Sequence, residues 1–387
     1  MSFDFDAAVS VPHRMQPGLR RLAPGAAQLT PSVVPQRGLA RHLREKLAVL
    51  GAFADQALLC TPGFDPRHAL DALAAHAANE HPAAFQADGR HWRAPWLGWA
   101  VDAQAEPQNL GGGWPEIGPL LAQLPADWRH AALLSLAFAE DFAILDSTNG
   151  TLPWLAIALP SVWAPEHKVG LGFAEAHAPV ADNRLILAAA PQLIRLVTGA
   201  SVGNTPTRHA AAQPDPTHST YSTPNAHSTP NAHSTHSTHS TDSTDSTDRW
   251  ERFVWTLSAH PRLHAHPQRV DAARWPAGLD DDALAAQTWW RTERQTFIPV
   301  PPAAGAAPGS AAGAQAVFTI LVNVTPLSRA FSDPAQAGRV HDALASMSDA
   351  VLDYRGLTAV RAPLLRWLAR QAQARPAVSG NPPGDPP

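Results

Sequence analysis

A chain of 387 residues, 45% hydrophobic, has room for two to three domains at about 150 residues each and for a sizeable core. Its 29 basic and 33 acidic residues leave a formal net charge of −4 with no Lys/Arg-rich block, which excludes a strong electrostatic case for nucleic acid. A single cysteine, Cys60, excludes an intrachain disulfide, a multi-cysteine zinc site and an iron–sulfur cluster held by this chain alone. In chain order, residues 1–22 carry acids where a signal peptide is basic and lack an apolar run, and no later stretch reaches about 18 apolar residues. A cytoplasmic protein with no membrane span is expected. Leu39, Leu43, Leu47 and Leu50 fall at helical spacing and predict a helix over 35–51; Leu70 and Leu73 with their alanines predict another over 66–78, so the N-terminal third reads as mostly helical. Cys60 ends an apolar run and reads as a small buried hydrophobe. Residues 131–145 and 152–159 read as successive strands around a turn at 146–150, and 253–257, 292–298 and 316–324 read as further strands of an antiparallel sheet. Helices over 340–354 and 359–374 close the chain.

Two segments differ from their surroundings. Residues 205–248 are built from Ser, Thr, His, Asp, Asn and Pro and offer almost nothing to a core, so they read as a disordered insert. Its histidines (among them His218, His227 and His233) suggest at most a loose metal-binding tract, with an expanded surface loop the better reading. Residues 299–314 form a Pro/Ala/Gly-rich loop between two strands, and 376–387 a frayed tail.

Standard hydrolase and nucleotide signatures are absent: there is no Gly-x-Ser-x-Gly, no His-Glu-x-x-His, and Gly111-Gly112-Gly113 runs into Trp114-Pro115-Glu116 rather than a phosphate-binding helix start. Three clusters remain. His177, on a short segment where Pro179 biases Ala178 toward an extended backbone, offers an imidazole for a cofactor such as haem, or is a satisfied structural histidine. In Trp289-Trp290-Arg291-Thr292-Glu293-Arg294-Gln295, strand alternation sends Glu293 and Arg294 to opposite faces. Glu293 suits a proton-handling or cation-binding carboxylate, or a structural ion pair with Arg252 or Arg291; Arg294 suits an anion such as a haem propionate. His260, His264 and His266, two of them followed by proline, read as a solvated loop rather than a metal site.

The order of the motifs is more telling than any one of them. Glu140-Asp141, then Leu159-Pro160-Ser161-Val162-Trp163, Lys168-Val169-Gly170 and His177-Ala178-Pro179-Val180 are followed by Arg249-Trp250-Glu251-Arg252-Phe253-Val254-Trp255, Arg291-Thr292-Glu293-Arg294-Gln295, Phe318-Thr319-Ile320 and Tyr354-Arg355-Gly356-Leu357. This succession resembles the haem-dependent oxidative N-demethylase family over residues 15–375, a single domain with the insert inside it. The resemblance implies an α+β fold, a PAS-like antiparallel sheet with additional N- and C-terminal helices, holding haem b. It implies O2-dependent demethylation of a small methylated amine, with formaldehyde as product and electrons from a separate flavin/iron–sulfur reductase. Carried over by position, His177 becomes the axial ligand, Glu293 and Arg294 line the pocket or bind propionate, and Trp163 and Phe318 pack near the haem. A non-catalytic haem-binding sensor is the alternative, although no output segment accompanies the fold.

Overall fold

The computed structural model describes residues 3–35, 40–148, 150–199, 249–270, 275–302 and 313–374. The expected insert and tail, and most of the Pro/Ala/Gly loop, lie outside them. A short helix α1 (Phe5–Ala8) precedes a two-residue strand β1 (Arg20–Arg21). Helix α2 (Arg41–Ala57) buries Leu43, Val49 and Leu50 at helical spacing and runs into β2 (Leu58–Cys60), and α3 (Arg67–Glu80) buries Leu70, Leu73 and Ala74. Cys60 stands exposed at the end of β2, not buried.

The N-terminal third is not mostly helical. Strands β3 (Gln86–Asp88), β4 (His91–Ala94), β5 (Trp99–Val101) and β6 (Pro107–Asn109) form a four-stranded antiparallel meander after α3. Its glycines do structural work: Gly113 has φ +79°, and a Cβ there would lie 2.0 Å from the Leu97 carbonyl oxygen, so the triple-glycine run folds back on the β4–β5 turn.

Helix α4 (Ile117–Gln123) is followed by α5 (Ala126–Ala137), β7 (Asp141–Asp146) and β8 (Thr151–Ala156). The predicted strand over 131–145 is thus half helix. Residues His130 to Ala137 are buried on every side of α5, so no polar face marks a 3.6-residue period, and an apolar run of this kind does not distinguish helix from buried strand. After α6 (Phe173–His177) and α7 (Arg184–Thr198) come β9 (Trp250–Ser258), α8 (Asp281–Ala286), β10 (Trp289–Val300) and β11 (Gln315–Pro326). The last three helices are α9 (Pro334–Ala345), α10 (Asp349–Tyr354) and α11 (Arg361–Gln373). The single helix expected over 340–354 is two, because the Ser348 side chain accepts the Val351 amide and starts α10 as an N-cap.

The main sheet has seven strands in the order β1-β9-β10-β11-β7-β8-β2, each pair antiparallel, with β10 and β11 in register from Trp289↔Pro326 to Val300↔Gln315. Helix α3 packs on β10 and β11 and shares a core with Ile298 and Val317; α7 also packs on β7, β10 and β11. A second core joins Trp255 and Trp290 to α8, α9 and α11. The architecture is α+β with antiparallel sheets.

Candidate functional site

Alternation along β10 puts Arg291, Glu293, Gln295 and Phe297 on one face. The register sets Val254 opposite Glu293, Arg252 opposite Gln295 and Phe318 opposite Phe297, so these neighbours share that face. Between it and the α6–α7 segment lies a cavity of about 540 Å³, a size typical of cofactor pockets (about 300–1,000 Å³). Leu152, Leu155, Ile157, Ile186 and Ile320 give it apolar walls. His177, Trp163, Glu293 and Phe318 all line it. Phe297 and Phe318 stack with centroids 4.9 Å apart.

His177 is the last residue of α6. Its Nδ1 lies 2.8 Å from the Phe173 carbonyl oxygen one turn earlier, and its ring stacks on Phe173 at 4.2 Å. A carbonyl oxygen can only accept, so Nδ1 carries the proton and Nε2 keeps its lone pair. Burial, with Arg252 and Lys168 as nearby cations, holds the imidazole pKa below its usual value and keeps it neutral. A neutral imidazole whose second nitrogen is fixed by a backbone carbonyl is the arrangement that iron-ligating histidines use. The bracing differs from the sequence expectation. Ala178 is helical (φ −53°, ψ −38°) despite Pro179, and the turn is held by the Asn183 side-chain amide donating to the His177 carbonyl at 2.9 Å.

Charge in the cavity is uneven. Glu293 is the one carboxylate on its lining among the described residues, against Lys168, Arg252, Arg291 and Arg355. Glu293 accepts a 2.6 Å hydrogen bond from the Gln295 amide. Arg291 is fully buried and donates to the Ser161 hydroxyl at 2.9 Å and to the carbonyls of Pro160, Arg262 and Leu263, clamping two loops to the sheet; burial pulls its pKa down to about 10. The ion pair of Glu293 with Arg252 or Arg291 is therefore not formed among the described residues.

Arg294 faces the other way. Its Nε donates to Glu251 at 2.9 Å and its Nη2 to the Ala27 carbonyl at 2.9 Å, beside a second cavity of about 710 Å³ lined by Arg20, Glu251 and Phe253. It does not meet His177 and Glu293, and on β9 it is Arg252 that lines their cavity. The end of the His260–His266 stretch is packed rather than solvated, although Pro261 and Arg262 are exposed: His266 is 2% exposed and pairs with Glu166 at 3.1 Å, His264 Nδ1 donates to the Ala158 carbonyl at 2.7 Å, and Ser161 and Ala265 form a parallel bridge. Arg252, Gln295 and Arg355 are cavity residues that sequence reasoning did not place there, although the i, i+2 spacing of Glu293 and Gln295 is a signal for one of them.

A family model described as haem-dependent oxidative N-demethylase, alpha subunit-like, matches residues 238–365. That stretch holds β9, β10 and β11 with Arg252, Glu293, Arg294 and Phe318, whereas Trp163 and His177 lie before it. Over these residues the chain matches the haem-dependent oxidative N-demethylase alpha subunit-like family, which supports the resemblance read from its motifs.

Proposed function

We propose that the chain is a haem-dependent oxidative N-demethylase subunit that holds haem b in the 540 Å³ cavity, with His177 Nε2 as the iron ligand. One observation carries this reading: the cavity gathers His177, neutral and with Nδ1 tied to Phe173, together with Trp163, Phe318 and Glu293. The donor set suits haem, which needs one neutral nitrogen ligand, apolar walls and cations for its carboxylates. Bound there, haem would supply the activation of O2. In the overall reaction the methylamine, O2, two electrons and two protons give the demethylated amine, formaldehyde and water.

The chain's own residues have distinct parts in this scheme. The Phe173 carbonyl sets the His177 tautomer. Trp163, Phe297 and Phe318 would wall the cavity with apolar rings and exclude water from it. Glu293 would pair with the protonated amine, since an ammonium in a partly apolar cavity needs a carboxylate or an aromatic face. Electrons would come from a separate flavin/iron–sulfur reductase, in keeping with a single cysteine and with the alpha-subunit description of the matched family. No helix of the described residues is long and apolar enough to cross a membrane, and a cytoplasmic location is part of the proposal. The test is to reconstitute the purified chain with haem, supply a chemical reductant and dimethylamine in air, and measure formaldehyde. Formaldehyde dependent on amine, haem and O2 is expected; a Soret band without turnover across small methylated amines would move the assignment to a haem-binding sensor.

A further inference from the structure

Three arginines lie on neighbouring strands of the sheet, and two of them have acceptors: Arg291 is satisfied throughout, while Arg294 is ion-paired with only its Nη1 left without a partner. Arg291 donates to four oxygens, and Arg294 pairs with Glu251 and caps the Ala27 carbonyl. Arg252, on β9, is different. Among the described residues no hydrogen bond or ion pair reaches its guanidinium, its Nε is shielded from solvent without a partner, and the side chain lines the cavity. Glu293 is near enough to favour the cation but is engaged by Gln295, and burial outweighs it and pulls the Arg252 pKa down. Arg252 is half-buried, and holding a cation in a partly apolar cavity with its Nε shielded and unpartnered is costly, because the hydration lost there is not replaced.

Resting on the haem reading above, we infer that Arg252 is the anchor for a haem propionate, its planar fork pairing with the carboxylate. A guanidinium presents parallel donors that match a carboxylate in a bidentate pair, and an exposed propionate could not satisfy a cation held inside the cavity. Arg252 and His177 line the same cavity, so the anchor and the iron ligand belong to one site. Arg355 lines the same cavity with a pKa lowered by burial to about 10, which adds to the positive field without replacing the Arg252 contact.

The experiment is a two-by-two Soret titration: wild type and Arg252→Gln, each against iron protoporphyrin IX and its dimethyl ester, which keeps the ring and iron but has no carboxylates. Wild type should prefer the free acid by about tenfold or more, equivalent to about 1.4 kcal/mol. Arg252→Gln should lose that preference by weakening on the free acid while leaving the ester unchanged. Arg252→Lys, which keeps charge without the fork, should fall between. The apo variant should unfold at the same temperature as apo wild type or higher, since an unpaired buried charge has been removed. A wild type that binds both porphyrins equally, or a variant that keeps the full preference, would overturn the anchor while leaving haem binding intact. An equal loss on both porphyrins would make Arg252 structural. Failure of wild type to bind either porphyrin would instead defeat the haem reading itself.

Discussion

At residue 140 a carboxyl group is buried completely, with Oε2 accepting the Thr30 amide at 2.9 Å, and burial raises its pKa to about 7. The folded protein therefore holds a proton on Glu140 that the unfolded chain releases near 4.5. This contribution to stability is complete below about pH 4.5 and is lost as pH rises through about 7, up to roughly 3 kcal/mol by linkage. Glu140→Gln should leave stability near pH 5 little changed and gain on wild type by pH 8 in urea melts; equal pH profiles would show that the group ionises without cost. Glu293 carries the other residue-scale prediction. Glu293→Gln keeps shape and removes charge, so the amine-induced shift of the haem spectrum should need about tenfold more amine, or about 1.4 kcal/mol. Unchanged affinity would confine Glu293 to its contact with Gln295. Sequence periodicity showed that residues 293 and 294 face opposite ways, but both faces of this sheet are covered by other elements. Burial patterns therefore do not say which face holds the cavity, and Arg294 lines the cavity on the opposite face from Arg252.

Strands β9, β10 and β11 are rich in β-branched and aromatic residues, and the ranges read from the sequence fall inside the observed ones, whereas α5 shows no polar face and reads as a strand. Short strands such as β3 to β6, three or four residues each, fall below the length at which alternation can be recognised. Packing, rather than propensity, also decides the role of Gly118 in α4. A Cβ at this position would lie 2.0 Å from Trp99 Cη2, and the indole is pinned by its Nε1 donating to the Trp114 carbonyl at 2.7 Å. Gly118→Ala should therefore destabilise the fold by about 1–3 kcal/mol in chemical denaturation. The usual helix gain of about 0.5–1 kcal/mol would show instead that Trp99 can shift aside.

Across the whole molecule the cavity is assembled from distant parts of the chain: Trp163 and His177 before the low-complexity stretch, Arg252, Glu293 and Phe318 after it, and Tyr354 near the C-terminus. No single motif could disclose such a site, and the order of motifs could, because strands and loops far apart in the chain each contribute side chains to the same space. Register and the covering helices, which depend on the completed sheet, supplied what the order left open. The central claim is that this space holds haem on His177, and the haem-reconstituted spectrum of His177→Gly tests it most directly. Wild type should show a strong Soret band; the variant should lose haem or shift the band, and added imidazole should restore the wild-type spectrum by occupying the vacated position. A variant whose haem content and spectrum match wild type without imidazole would contradict the assignment.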